Sequence, residues 1–228
     1  MIKKAILIKA LAEGLSAANL SVPESTQLQF VEYIELLVKW NAVHNLTAIR
    51  DPLEMVKRHV LDSLVLLPYF DDFCKSRPEG HAAVLDVGTG AGLPGILLAL
   101  CRPAQSFVLL DSNQKKIAFV QHVILSLKVS NAIAVCDRVE KYRPEISFDW
   151  VVSRAFASLA DFVRLSQHLC KRDGRLVAMK GIIDPAEVAM VSSDYTIEKM
   201  VSVQVPGLTV ERTLVFMSIT QKGDFGAK

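Results

Sequence analysis

The stretch VLDVGTGAGLPG, residues 84–95, places four glycines within eight residues, directly after an apolar run. Glycine this dense costs backbone entropy unless the turn needs conformations or approaches that a side chain would forbid. The surrounding pattern says what kind of turn it is. AAVLDV, SFVLLD, AIAVCD, DWVVS and RLVAMK read as short strands. PGILLALC, QKKIAFVQHVILSLK and LADFVRLSQHLC read as helices between them, and a short helix starts at Asp184-Pro185. Strand–helix alternation demands a mostly parallel sheet covered on both faces. The last two runs, YTIEKMVSVQV and RTLVFMSIT, have no helix between them, so they pair antiparallel. The expectation is a seven-stranded α/β sheet, mostly parallel, ending in a C-terminal antiparallel hairpin.

Residues 1–70 read as a helical extension. In STQLQFVEYIELLVKWNAV the apolar positions Leu28, Val31, Ile34, Leu37 and Trp40 recur at helical spacing. Asp51 suits a cap and Pro52 the first helical position, with Glu54 closing a box-like pattern. That helix should run through LEMVKRHVLDSLVLL and stop near Pro68. The polar stretch DDFCKSRPEGH marks the boundary to the second region, 82–222, which should pack with the extension as one unit. The opening MIKKAILIKALAEGLSAA has a basic start, but Lys9 and Glu13 interrupt its apolar core, so it reads as an amphipathic helix and not a signal peptide. No run reaches membrane-spanning length. Four cysteines lie about thirty residues apart with no CxxC pair, which points to reduced core thiols, no metal site and a cytoplasmic protein.

The glycine turn falls where the first parallel strand ends and its helix begins, the edge at which open α/β sheets bind ligands. Gly88 and Gly90 let a cofactor lie against the backbone there, with Asp86 two residues before the first of them. Asp111, 23 residues after Gly88, ends the second strand and can accept hydrogen bonds from ribose hydroxyls. A nucleoside-containing cofactor explains both features. GAGLPG also fits GxGxxG, so an NAD-dependent oxidoreductase is an alternative. The longer pattern Asp86-x-Gly88-x-Gly90-x-Gly92 resembles the S-adenosyl-L-methionine (SAM) loop of class I methyltransferases, which are Rossmann-like and end in the same hairpin. A non-enzymatic RNA-binding or ribosome-assembly protein on that fold is a second alternative.

Two target chemistries are disfavoured. Methylation of exocyclic base amines commonly uses [D/N]PP[Y/F] after the fourth strand, where this chain has SRAF; ring-carbon methylation of pyrimidines needs a nucleophilic cysteine, often Pro-Cys. Guanine N7 needs neither, because its lone pair is available without proton removal.

The segments KWNAVHNLTAIRDPLEMVKRHVLDS, LDVGTGAGLPG, LLDS, RVE, SRAFASL, MKG and QVP…ER follow one another over roughly residues 20–220. In that order they resemble the bacterial ribosomal RNA small-subunit methyltransferase G family, also called the glucose-inhibited division protein B family. The resemblance implies methyl transfer from SAM to N7 of guanine 527, in the 530 loop of 16S rRNA. The substrate would be that RNA, the small ribosomal subunit or its precursor. It further implies that Gly88 and Leu93 lie in the SAM loop, Val139 and Glu140 near the adenine, and Arg154 on the cofactor side. One departure is the end of the chain: some members carry a long basic tail, and this one ends TQKGDFGAK.

A net charge of only +2 means that RNA must be met by basic residues gathered at the cleft. Arg50, Arg58, Lys115, Lys116, Arg138 and Arg154 fall on predicted cleft-side loops or helix starts. His59, in RHVLDS, either lines the cleft or belongs to a polar cluster in which Arg58 and Asp62 form a helix-face ion pair. Lys180 ends the fifth strand at the functional edge of the sheet, so it either meets phosphate or the target base, joining Arg154 as a catalytic candidate, or is a solvated lysine with no role. A monomer is expected.

Overall fold

A computed structural model describes residues 4–154, 156 and 158–220. Helices α1 (Lys4–Ala17) and α2 (Glu24–His44) open the chain. The next helix begins as expected, with Asp51 accepting a hydrogen bond from the Leu53 amide and Pro52 in the first turn. Glu54 does not close a box, because its carboxylate pairs with Lys57 and Arg58. The helix changes pitch along its length: α3 (Pro52–Met55), a π-helical stretch (Val56–Leu61) and α4 (Asp62–Leu64).

That helix ends at Leu64, close to Pro68 as expected, but Pro68 does not open a loop. It sits in the first turn of a new one, α5 (Leu67–Lys75), where its missing N–H is harmless. The expected boundary at DDFCKSRPEGH is therefore half helical. Phe70, Phe73 and Cys74 recur at helical spacing and bury one face, which outweighs the polar residues between them.

The remaining elements alternate as the sequence requires: β1 (Ala83–Val87), α6 (Gly95–Cys101), β2 (Ser106–Asp111), α7 (Gln114–Ser126), β3 (Ala132–Cys136), β4 (Phe148–Ser153), α8 (Leu159–Ser166), β5 (Cys170–Lys180), α9 (Pro185–Ala189), β6 (Tyr195–Val203) and β7 (Arg212–Ile219). They form a seven-stranded sheet of order β3-β2-β1-β4-β5-β7-β6. β1 to β5 are parallel, while β7 runs antiparallel to both β5 and β6. The second hairpin strand is thus the one that joins the sheet, and the first lies at its edge. The run KRDGR, which reads as a helix end and turn, belongs instead to β5, where the pairing to β4 shifts register between Phe148 and Trp150. Gly174 fits there because a Cβ would stand 2.9 Å from the Asp149 carbonyl oxygen.

One buried cluster joins Leu11, Phe30, Ile34 and Leu64 of the extension to Ile96, Phe119 and Trp150 of the second region, so the two share a core. A second cluster fills the opposite face, around Leu85, Val151, Phe162 and Leu176. No helix among the described residues is long and apolar enough to cross a membrane.

Candidate active site

The turn after β1 is held from behind by two carboxylates. Asp86 is fully buried, and its Oδ2 accepts hydrogen bonds from Thr89 Oγ1 (2.7 Å) and the Gly95 amide (2.8 Å). Burial pushes its pKa up to about 6, against the pull of those two bonds. Asp111, at the end of β2, accepts from the Gly90 amide (2.9 Å) through Oδ2 and from the Asn113 amide (2.8 Å) through Oδ1. The Gly88 amide bonds to the Leu110 carbonyl at 2.8 Å. Gly88 and Gly90 have φ of 69° and 60°, left-handed values that favour glycine.

Two cavities meet at this turn, sharing Gly88 and Phe156. The smaller, about 150 Å³, is lined by Asp111, Val139 and Glu140; the larger, about 510 Å³, continues over Gly90 and Leu93 towards the helical wall. The small cavity suits a nucleoside. Asp111 has given one bond per oxygen to the backbone and keeps acceptor capacity for ribose hydroxyls, while Val139 offers apolar surface to a base. The groups that would hold SAM are therefore Gly88, Gly90, Asp111 and Val139, with Arg154 lining the larger cavity.

The other wall comes from the helical extension. The π-helical stretch carries His59, which is buried. Its Nδ1 lies 3.1 Å from the Arg58 carbonyl and so donates to it; Nε2 then accepts from the Thr47 hydroxyl at 3.0 Å. Burial, reinforced by the positive charge of Arg154, lowers the His59 pKa to about 4, so the ring is neutral at pH 7. One turn on, Asp62 is buried and accepts from Arg154 Nη1 (3.0 Å) and from Arg212 Nε (2.6 Å). Lys180 Nζ pairs with Glu187 at 2.9 Å and also reaches the Phe156 carbonyl at 3.4 Å.

Gly88, Gly90, Leu93, Asp111, Val139, Glu140, Arg154, Lys180, Arg58 and His59 all line one cavity or the other. Asp86 lies behind the turn, where it positions the backbone and is out of reach of a ligand. Arg138 faces the smaller cavity and pairs with Glu140 at 3.9 Å. Arg50, Lys115 and Lys116 line neither cavity, and the Lys116 ammonium lies 3.7 Å from Asp111. The expected pair of Arg58 with Asp62 does not form: Arg58 turns back to Glu54 (3.0 Å), leaving Asp62 for the two arginines from the sheet. Asp62 falls in RHVLDS, a cleft candidate in the sequence, whereas Thr47 and Arg212 are cleft residues that the sequence does not single out. Both lie in segments that carry the family resemblance, KWNAVHNLTAIRDPLEMVKRHVLDS and QVP…ER, but no local pattern marks either as a cleft residue.

A parallel sheet with an antiparallel β7, and a glycine turn facing an acid at the end of β2, define the fold of the class I SAM-dependent methyltransferases. It is shared by a SAM-dependent methyltransferase from Aquifex aeolicus, 16% identical over 77% of this chain and 97% of that one, with a TM-score of 0.58. A second such enzyme, from Geobacter sulfurreducens in complex with S-adenosyl-L-homocysteine, is 11% identical over 82% and 98%, with a TM-score of 0.52. Within that class the chain belongs to the rRNA small subunit methyltransferase G family, whose model matches residues 26–215. Relatives called ribosomal RNA small subunit methyltransferase G include proteins from Nitrosospira multiformis and Haemophilus influenzae. Both are 43% identical to this chain; the first alignment covers 91% of it and 95% of the relative, the second 94% and 99%.

Proposed function

We propose that this protein transfers the methyl group of SAM to N7 of guanine 527, in the 530 loop of 16S rRNA, acting as a cytoplasmic monomer on the small ribosomal subunit or its precursor. The observation that carries the reading is the way the glycine turn opens directly into a cleft lined by Arg154, Lys180 and Arg212. A nucleoside seat and a basic RNA-facing wall thus share one continuous space. Bound SAM supplies an electrophilic methyl group.

Guanine N7 attacks with a free lone pair, so no residue has to remove a proton. This fits His59, whose ring nitrogens are both committed and which stays neutral. The chain's contribution is positioning. Gly88 and Gly90 bring backbone against the cofactor, and Arg154 orients groups from the larger cavity. Phe156, which lines both, offers a ring face to the target base. N7 lies on the Hoogsteen edge, which a regular RNA helix hides and a folded loop exposes.

The test is to methylate small subunits or 16S rRNA from cells lacking the enzyme, then treat with borohydride and aniline, which cleave at 7-methylguanosine. Cleavage at guanine 527 is expected. Methyl transfer mainly to another position or another base atom would overturn the assignment.

A further inference from the structure

The cleft places one buried carboxylate between two arginines that come from different strands. Asp62 gives one oxygen to each: Oδ2 to Arg154 Nη1 at 3.0 Å and Oδ1 to Arg212 Nε at 2.6 Å. The Asp62 side chain is 3% exposed, while Arg154 and Arg212 are 23% and 26% exposed, so both guanidinium groups reach from the buried anion into the cleft. Their positions in the sheet differ. Arg154 follows β4, the strand next to β1 and its glycine turn. Arg212 starts β7, two strands further out, where Thr213 pairs with Lys180 at the end of β5.

We propose that Asp62 is a positioning residue that couples a cofactor-side arginine, Arg154, to a substrate-side arginine, Arg212, and that Arg212 takes a phosphate of the RNA strand carrying the target guanine. The inference rests on the rRNA-methylating function proposed above. Two guanidinium groups on one carboxylate leave a local excess of one positive charge facing the cleft, which favours an anion. Arg212 meets Asp62 through Nε, so the end of its fork lies beside Gly181, where a Cβ would stand 3.9 Å from Nη1 and Gly181 itself lines the cleft. A fork anchored at one edge presents paired N–H donors suited to a phosphate oxygen pair. Lys180, the neighbouring cation, is paired with Glu187, so its charge is already partly offset.

The site is built from three places far apart in the chain. The Asp62–Arg212 contact spans 150 residues and the Asp62–Arg154 contact 92. Movement of either guanidinium must be felt by the other through the shared carboxylate, because a buried anion left half-paired is strongly disfavoured. Occupation of the cofactor seat and engagement of the RNA phosphate are thereby linked.

The test uses the full chain with small subunits from cells lacking the enzyme, and calorimetric titration with SAM. Arg212→Ala should raise KM for subunits at least tenfold and, by leaving Asp62 half-paired, weaken SAM binding by a clearly smaller factor than Arg154→Ala does. The salt dependence of its subunit binding should lose the slope of about one phosphate contact. Arg212→Lys should keep that slope while recovering only part of KM. Asp62→Asn should weaken both SAM binding and subunit binding by threefold or more, and its effect on KM should largely vanish on the Arg212→Ala background. Asp62→Glu, which keeps the charge, serves if the Asn variant fails to fold, and should recover the salt slope with a smaller loss in both constants.

A folded Asp62→Asn protein that is merely less stable, with both constants unchanged, would overturn the coupling, as would full additivity with Arg212→Ala. If Arg212→Ala weakens SAM as much as Arg154→Ala does, with the salt slope intact, the assignment of Arg212 to phosphate is wrong. Should the wild-type chain fail to methylate subunits at all, the proposed function falls, while SAM titration of the Arg154 and Asp62 variants still decides whether that pair holds the cofactor.

Discussion

The two walls of the cleft are built on opposite plans. The cofactor wall is local in sequence: Gly88, Gly90 and Leu93 fall in one turn, Asp111 ends the next strand, and Val139 and Glu140 follow the third. The facing wall draws Thr47, His59, Asp62, Arg154, Lys180 and Arg212 from nearly the whole chain. Their buried acids differ to match. Asp86 draws only neutral donors, the Thr89 hydroxyl and the Gly95 amide, both to Oδ2, while its buried Oδ1 has no partner among the described residues, and its pKa is raised. Asp62 is satisfied by two cations. The first arrangement fixes a backbone shape. The second holds cationic side chains at the cleft, the arrangement that the proposed RNA contact calls for.

The largest effect should come from removing the side chain of the facing wall that follows β4, the strand beside the glycine turn. Arg154→Ala is expected to lower methylation by roughly 100-fold, the order of loss that misplaced reactants produce, with a much smaller change in melting temperature. Arg154→Lys should also be impaired, because an ammonium cannot bond Asp62 and fork into the cleft together. Wild-type rates in a folded Arg154→Ala protein would remove this residue from the site.

Next comes the cofactor wall alone. Gly88→Val forces a β-branched residue into a left-handed conformation, costing about 1–3 kcal/mol, and puts methyl groups into space shared by both cavities. SAM affinity should drop at least tenfold while the protein still folds, and calorimetry checks this.

The walls should also respond to acid in opposite directions. His59 has its pKa lowered to about 4 from an ordinary 6.5, so acidification through that window protonates the unfolded chain first and erodes stability. Asp86 has its pKa raised to about 6 from 3.8, so its folded form holds the proton more tightly, and its contribution falls as pH rises through that window. His59→Gln should make the stability slope between pH 4.5 and 6 less positive by up to about 1.4 kcal/mol per pH unit; Asp86→Asn should make it more positive. Urea unfolding at several pH values reads both, and equal slopes in all three proteins would refute the contrast.

The smallest effect concerns a tether between the helical layer and the turn. Tyr33, buried on α2, donates to the Ala91 carbonyl at 2.8 Å. Tyr33→Phe should cost about 1 kcal/mol and lower the melting temperature by about 2–4 °C. An unchanged melting curve would show the tether to be idle.

Local pattern made the sheet legible. Alternating strands and helices, the glycine turn and Asp111 are each set by neighbouring residues, and they fall in the structure where the sequence puts them. Errors arose where two local signals competed. Pro68 looks like a stop, yet it begins a helix, because a proline is equally at home in a first turn. KRDGR looks like a solvated turn, yet pairing to β4 draws it into β5. Arg58 and Asp62 have ion-pair spacing, yet the π-helical stretch and two arginines from the sheet give Asp62 other partners.

By itself, then, the sequence determined the class of fold, the cofactor turn and the order of the elements, because each depends on periodicity and on residues a few positions apart. Tertiary structure alone decided that β7 slots in beside β5, that His59 is buried in the cleft wall and neutral, and that Asp62 holds Arg154 and Arg212 together. Those outcomes depend on burial and on charges meeting across 92 and 150 residues of chain. No local pattern encodes such distances; they exist only once the helical layer has packed onto the sheet.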